Sequence, residues 1–214
     1  MKKIIFLFLF LILPNKVLAL IEVDITRGNL NPLSIAVSPL SIDEQSKKSF
    51  DKLLKIKNIG SEISKVVENN LKTSGLFNPL NKDAFLQAPD IANLKPRFED
   101  WSLIKAQALI TGKVTIVEEK LRVEFRLWDV LAGKEMMALA FTTVPNNWRR
   151  VGHIITDKVY ERLTGEKGYF DTRIIYVAEE GPKTRRIKKL AIMDQDGENN
   201  KFLTLGNELV LTPR

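Results

Sequence analysis

The sequence predicts an α+β domain of α/β type, in which two long helices pack on a mixed sheet, followed by part of a β-propeller blade. Three observations indicate this fold. Apolar residues recur at helical spacing over residues 56–71 and 148–163. Between them, over residues 108–144, apolar and polar residues alternate as they do in strands. After Gly165, short strand patterns separated by turn residues follow, a change typical of repeat arrays.

The first nineteen residues have the organisation of a secretory signal peptide. Residues 1–3 (Met-Lys-Lys) are positively charged, residues 4–13 are an unbroken apolar run, and residues 17–19 (Val-Leu-Ala) suit cleavage before Leu20. A membrane anchor is the alternative, but a bilayer span needs about 20 apolar residues, and residues 14–16 (Pro-Asn-Lys) end this run early. We therefore expect export without stable membrane insertion after cleavage.

Composition narrows the class of protein further. The chain contains no cysteine, which excludes disulfides, thiolate metal sites and a lipid-modified N-terminal cysteine. Its formal charge of +7 falls to +4 once the three lysines of the signal peptide are removed. That excess is too small to indicate nucleic-acid binding.

The first half of the domain is predicted to contain two strands and a helix. Residues 23–28 and 33–37 have strand patterns joined by a turn. The first long helix covers residues 56–71, and Gly75 is placed to end it. Residues 43–58 are lysine-rich and weakly patterned, so they either extend this helix or form a solvated loop; we assign them no function.

Three antiparallel strands and the second long helix complete the predicted domain. The strands cover residues 108–116, 121–128 and 136–144, with turns at residues 118–120 and at Gly133. In the helix, Asn146 or Asn147 is expected to act as the N-cap and Gly165 to end the last turn. The residues of its apolar stripe are Trp148, Val151, Ile154, Ile155, Val159 and Leu163.

Few residues of the chain are candidates for catalysis. His153 is the only histidine, and its position suggests a surface or boundary residue that could pair weakly with Asp157. The chain has no Gly-x-Ser-x-Gly turn and no glycine-rich phosphate loop. One histidine without cysteine also argues against a conventional zinc site. We therefore expect no catalytic residues, no cofactor and no bound metal.

Other polar clusters have simpler interpretations. The aspartates of residues 194–197 (Asp-Gln-Asp-Gly) resemble a calcium loop, but Asn199 and Leu205 stand where that loop needs glycine and a carboxylate, so a tight turn is predicted. Trp128 is interpreted either as an interface residue or as part of cation–π cover of the sheet. Two basic clusters are interpreted as solvated rims: Lys47, Lys48, Lys52, Lys55 and Lys57, and Lys183, Arg185, Arg186, Lys188 and Lys189.

Six segments carry a resemblance to a known family. They occur in the family's order along the chain, at residues 74–79, 147–153, 157–165, 168–177, 190–197 and 202–204. These segments are similar to the TolB family, periplasmic components of the Tol-Pal system. The resemblance implies an N-terminal α/β domain at residues 20–167 and the linker and first repeat of a six-bladed propeller at residues 168–214, after the signal peptide at residues 1–19.

The resemblance also implies a function. Members are non-enzymatic adaptors that link inner-membrane Tol proteins to the outer-membrane lipoprotein Pal, and they support envelope integrity and constriction during cell division. In some bacteria colicins use the same surfaces for import. Pal and colicins bind the propeller, whereas TolA binds the mobile mature N-terminus. That segment corresponds here to Leu20, Ile21, Glu22, Val23, Asp24 and Ile25.

Two questions stay open from the sequence. An extended terminal segment can add as a strand to a partner's sheet edge, but residues 20–25 could equally be an edge strand of their own domain.

The chain stops where the family continues with further repeats, so we expect a fragment whose strands over residues 172–211 expose edges prone to aggregation. The alternative is the N-terminal fragment of a secreted, propeller-bearing hydrolase or peptidase whose catalytic domain is missing. An envelope-polymer binding module, which would rest on the lysine clusters, is a weaker one.

Overall fold

The computed structural model describes residues 31–54 and 56–206. The predicted strand at residues 23–28, the signal peptide and the segment from Leu20 to Ile25 lie outside these residues. Single 3-10 turns occur at Lys82–Ala84 and Pro145–Asn147. The other elements are β1 (Leu33–Val37), β2 (Ser41–Ile42), α1 (Glu44–Leu54), α2 (Ile59–Thr73), β3 (Phe77–Pro79), α3 (Pro89–Leu94), α4 (Phe98–Leu103), β4 (Ala108–Val117), β5 (Lys120–Asp129), β6 (Lys134–Thr143), α5 (Trp148–Thr164), β7 (Arg173–Glu180), β8 (Ile187–Asp194) and β9 (Lys201–Phe202).

The main sheet is mixed, as the sequence predicts. Its strand order is β3-β1-β4-β5-β6, with β2 pairing beside β1 on β4. The pairings of β1 with β3 and β4, and of β2 with β4, are parallel. The long strands β4, β5 and β6 are antiparallel, with Ile110 opposite Leu127 and Val123 opposite Phe141. The three strands predicted from alternation are therefore confirmed.

The two long helices pack against one face of this sheet and enclose the main core. The helices are in close contact at Gly152 of α5. A Cβ at this position would lie only 2.9 Å from Cγ1 of Val66 on α2, so the contact favours glycine. The largest buried side chains of this core are Ile35, Phe50, Ile59, Ile63, Leu71, Ile110, Leu121, Phe125 and Leu127. The predicted architecture of a sheet and two long helices is confirmed.

The segment preceding α2 differs from both alternatives considered for it. It forms a separate helix, α1, rather than an extension of α2 or a loop. The carboxylate of Asp43 accepts hydrogen bonds from the backbone N–H and hydroxyl of Ser46, both at 2.9 Å, and these bonds lower the pKa of Asp43. Asn58, with φ of 58°, separates the helices and accepts the N–H of Ser61 at 3.2 Å as the N-cap of α2.

The ends of α5 agree with the prediction in position but not in every bond. Asn147 occupies the N-cap position, yet its side chain makes no capping bond. Its amide instead donates to the Thr143 hydroxyl at 3.3 Å. Gly165 ends the helix as predicted, with φ of 75° and its N–H bonded to the carbonyl of Glu161 at 2.9 Å.

The opposite face of the sheet carries a smaller core around the short helices α3 and α4. Trp101 and Leu109 are its largest fully buried members. Trp128 borders this core: its indole N–H donates to the Thr111 hydroxyl at 2.9 Å, and Phe98 packs against its ring edge at 5.9 Å between centroids. Among the described residues the cation–π contact is that of Lys189 over Phe202, so the cation–π interpretation of Trp128 is not confirmed.

Strands β7, β8 and β9 form a second, antiparallel sheet. The basic cluster on this hairpin is exposed, as predicted, and is paired with acidic residues of the neighbouring strand. Arg186 and Lys188 contact the carboxylate of Glu179, and Lys189 contacts Glu180 at 3.2 Å. Across the described ranges, every helix is too short or too polar to span a bilayer.

Candidate functional site at the junction of helix α5 and the β8–β9 turn

The first two turns of α5 face the turn between β8 and β9, and His153 lies at the centre of the contact. Its side chain is buried, with 2% exposure for the whole residue. The interpretation of His153 as a surface or boundary residue is therefore wrong. Its neighbour Gly152 lies directly against Val66 of α2, and Asn70 of the same helix contacts the imidazole.

One edge of the imidazole is held by Asn70 of α2. The Asn70 amide donates to Nδ1 of His153 at 2.8 Å and to the hydroxyl of Thr156 at 3.2 Å. The Asn70 carbonyl oxygen accepts a hydrogen bond from the amide of Gln195, in the β8–β9 turn, at 3.0 Å. Asn70 therefore connects both long helices to the second sheet.

The other edge of the imidazole faces two carboxylates. Nε2 lies 3.7 Å from Oδ2 of Asp196 and 4.0 Å from Oδ2 of Asp194. These distances are too long for hydrogen bonds, and Nε2 has no hydrogen-bond partner among the residues the structure describes. Burial lowers the pKa of His153 below its ordinary value, while Asp196 and Asp194 act in the opposite direction. The imidazole is therefore neutral at pH 7.

The two carboxylates are positioned by the predicted tight turn. Gly197 has φ of 88°, and its N–H donates to the carbonyl of Asp194 at 2.9 Å. The Arg149 guanidinium forms an ion pair with Asp196. The Asn199 amide donates to Oδ2 of Asp194 at 2.6 Å. The turn interpretation of residues 194–197 is confirmed, and the turn directs both carboxylates toward α5.

The linker that follows α5 is also fixed to the helix. Asp157 makes no bond to His153; its two carboxylate oxygens accept the backbone N–H groups of Phe170 and Asp171 at 2.7 and 3.1 Å. The proposed pair of His153 and Asp157 is therefore wrong, because the linker occupies the carboxylate. Arg150 adds two bonds to the Asp171 carboxylate at 2.9 and 3.0 Å.

These groups border an open polar cleft of about 550 Å³. Helix α5 forms one wall, and strands β7 and β8 with the turn form the other. The charged residues along it are Arg149, Arg150, Asp171, Arg173, Asp194 and Lys201. Four of these residues are cations and two are carboxylates, so the lining of the cleft is net positive.

Gly168 allows the linker to lie directly on α5, and substitution there should loosen this contact. A Cβ at Gly168 would be 2.5 Å from Cα and 2.4 Å from Oδ1 of Asp157. We expect Gly168→Ala to lower the free energy of unfolding by about 1–3 kcal/mol through this overlap, as measured by urea denaturation. Lys167→Ala, which adds no atom near Asp157, is the control; equal losses in both variants would contradict the explanation.

The sequence predicts part of this junction. The aspartate turn and the residues of the linker follow from local patterns, but the position of Asn70, Arg149 and Gln195 around His153 does not. Asn70 is 83 residues from His153 in the chain, so no local pattern joins them. Asparagine within the predicted helix gave the one available signal, because a polar residue on a packed helix face needs a partner.

Comparison with known families gives two matches along the chain. A model described as the TolB amino-terminal domain matches residues 21–136, and one described as the TolB beta propeller domain matches residues 160–214. The junction cluster of His153, Asp194 and Asp196 involves the second match and the helix that leads into it.

Individual proteins agree with these family matches. The chain is 84% identical over 206 residues to the Tol-Pal system protein TolB of Pelagibacter ubique (strain HTCC1062). That alignment covers 96% of this chain and 46% of the relative, so the chain spans about half of the relative's length. The crystal structure of TolB from Acinetobacter baumannii matches with a TM-score of 0.64 at 24% identity, covering 86% of this chain and 41% of that one. This structural likeness agrees with the fold described above.

Proposed function

Because this chain belongs to the TolB family, we propose that it is part of a periplasmic, non-enzymatic adaptor of the Tol-Pal envelope system. The observation that carries the proposal is the 84% identity over 206 residues to a Tol-Pal system protein TolB. The family match over residues 21–136 supports the same conclusion for the first domain. The adaptor links inner-membrane Tol proteins to the lipoprotein Pal and supports envelope integrity and constriction during division.

The proposed division of labour follows the proposed domains. Residues 1–19 direct export, residues 20–167 form the N-terminal domain, and residues 168–214 are the linker and the first repeat of the propeller. TolA binds the mature N-terminus, and Pal binds the propeller. Colicins that enter through this system would use the propeller as well.

A binding function, rather than catalysis, agrees with the chemistry of the junction. The chain has one histidine, and its Nδ1 atom contacts the amide of Asn70 rather than a hydroxyl nucleophile. Its Nε2 atom faces the carboxylates of Asp194 and Asp196, and neither of them is a nucleophile that the imidazole could activate by removing a proton. The ion pairs and hydrogen bonds around the imidazole join α5 to the second sheet.

The N-terminal part of the proposal predicts a specific loss of binding. Deleting Leu20 to Ile25 is expected to abolish association with the periplasmic domain of TolA, because the deletion removes the backbone groups available for strand addition. The measurement is isothermal titration calorimetry with purified TolA domain. The thermal unfolding transition should be unchanged, since the described core begins at Leu33.

A pair of point variants separates strand addition from general contact. Val23→Pro removes a backbone donor and should weaken TolA binding, whereas Val23→Thr keeps a β-branched side chain and the donor and should retain it. Full TolA binding by the deletion variant would exclude this segment as the TolA site. If the protein that contains this chain bound neither TolA nor Pal but hydrolysed a substrate, the adaptor proposal itself would fail.

A further inference from the structure

Contrary to the expectation from the sequence that the chain binds no metal, we propose that His153, Asp194 and Asp196 form a binding site for a divalent transition-metal cation such as Zn²⁺. The three residues come from two separate parts of the fold, helix α5 and the end of β8 with its turn. A cation bound there would connect the N-terminal domain to the first propeller strands. The proposal is independent of the adaptor function, because it rests only on the geometry of the junction.

The ligand atoms of the three side chains are slightly farther apart than in an occupied metal site. One ligand atom from each residue lies within 4.8 Å of the other two. In a tetrahedral site with bonds of about 2.0–2.2 Å, ligand atoms are separated by roughly 3.3–3.6 Å. Nε2 of His153 is already 3.7 Å from Asp196 and 4.0 Å from Asp194, so side-chain rotations alone can complete the set. Water would fill the fourth position from the open cleft.

The buried state of Nε2 is the second observation that indicates a ligand. Aspartates in an exposed turn are common without a metal, but here an imidazole nitrogen with 2% residue exposure is directed between them. Because the Asn70 amide donates to Nδ1, the ring hydrogen of His153 is on Nε2, where it has no partner at bonding distance. A buried donor without a partner has lost its hydrogen bonds to water without replacement, so this arrangement is unfavourable.

A second arrangement of the same network satisfies every group except Nε2. If the terminal amides of Asn70 and Gln195 both rotate by half a turn, the Asn70 oxygen accepts a hydrogen bond from Nδ1–H at the same 2.8 Å. The Asn70 amide then donates to the Gln195 oxygen at the same 3.0 Å. In the structure the Thr156 hydroxyl donates to the Gly152 carbonyl. In the second arrangement it can donate to the Asn70 oxygen instead. Nε2 then presents its lone pair to the carboxylates, an arrangement that a bound cation would stabilise.

This second arrangement is the one that metal sites use. A histidine ligand ordinarily donates its other ring N–H to a fixed oxygen, which sets the ring orientation and raises its basicity. Asn70 would supply that oxygen. An imidazole with two carboxylates favours Zn²⁺ and its transition-metal neighbours over Ca²⁺ and Mg²⁺, which prefer sites made of oxygen alone.

Arg149 competes with the cation for Asp196. Arg173 and the Asn199 amide compete for Asp194. The Arg149 guanidinium pairs with Asp196 at the same Oδ2 atom that faces the imidazole. The side chain is 21% exposed and lines the cleft, so it has room to turn away, and its Nε atom has no partner among the described residues. Removing this charge should therefore strengthen metal binding, whereas removing a ligand should weaken it.

The test is Zn²⁺ titration of the purified chain by calorimetry and equilibrium dialysis. We expect one bound Zn²⁺ in the unchanged protein and at least about tenfold weaker binding by His153→Gln and by Asp194→Asn with Asp196→Asn. Arg149→Gln should bind on the order of tenfold more tightly. Glu198→Gln, an exposed acid of the same turn, is the matched control and should bind as the unchanged protein does.

The proposal is overturned by either of two results. One is the lack of saturable binding up to roughly millimolar Zn²⁺. The other is equal affinity in the unchanged protein, His153→Gln and the double asparagine variant, which would place the ion elsewhere. Circular dichroism identifies a variant that does not fold; the double asparagine variant changes only exposed or half-buried side chains and keeps the test valid if His153→Gln fails to fold.

Discussion

Replacing Phe170 by alanine is expected to lower the free energy of unfolding by about 3–5 kcal/mol, the usual cost of emptying a buried aromatic site. Phe170 is fully buried although it lies in the linker between α5 and β7. Its ring packs against Tyr160 at 5.7 Å in an edge arrangement and stacks on Tyr169 at 4.4 Å. Its backbone N–H is bonded to Asp157. The variant should therefore release the linker from α5 as well as destabilise the core.

Two measurements distinguish these effects. Urea denaturation gives the loss of stability, and limited proteolysis reports whether the linker has become accessible. Tyr169→Ala is the matched control, because Tyr169 is adjacent and aromatic but 47% exposed, so its loss should cost much less. Phe170→Leu should recover most of the stability by filling the space. A cost for Phe170→Ala no greater than that for Tyr169→Ala would show that Phe170 does not hold the linker.

Most of the elements that the sequence predicts correctly have long periodic patterns. Helix α5 presents Val151, Ile155 and Val159 to the core at helical spacing, and β5 alternates buried and half-buried residues along its whole length. Such repetition outweighs local exceptions, since each additional residue supports the same period. Glycine also marks where a helix ends: Gly165, which follows α5, adopts the positive φ that favours glycine.

The elements that sequence did not predict are short or depend on distant partners. Helices α3 and α4 contain six residues each, less than two turns, so periodicity cannot identify them. Strands β2 and β3 contain two and three residues and exist only because β4 and β1 pair with them. At the junction, the burial of His153 depends on Asn70 and the β8–β9 turn, which only the tertiary fold places beside it.

The second large effect is expected in this short-helix region. Trp101→Ala should lower the free energy of unfolding by about 3–5 kcal/mol, because a large, fully buried side chain is lost from a small core. Trp101 packs edge-on against Phe85 at 5.0 Å between ring centroids, and its indole N–H donates to Oε1 of Gln87 at 3.0 Å. The same Gln87 oxygen accepts the backbone N–H of Arg97 at 3.0 Å.

The hydrogen bonds of Gln87 explain why the destabilisation caused by Trp101→Ala should remain local. Its amide also donates to the carbonyl of Lys95 at 3.1 Å, so one side chain fixes the chain between α3 and α4 and is itself held by Trp101. Amide hydrogen exchange should therefore show lost protection over residues 85–106 in Trp101→Ala before α2 and α5 are affected. Trp101→Phe keeps an aromatic ring but loses the N–H donor, and it should cost considerably less. Equal costs for the two variants would assign the stability to the hydrogen bond with Gln87 rather than to the buried ring. Uniform loss of protection across both long helices would mean that the short helices are not a separate unit, and that the two faces of the sheet unfold together.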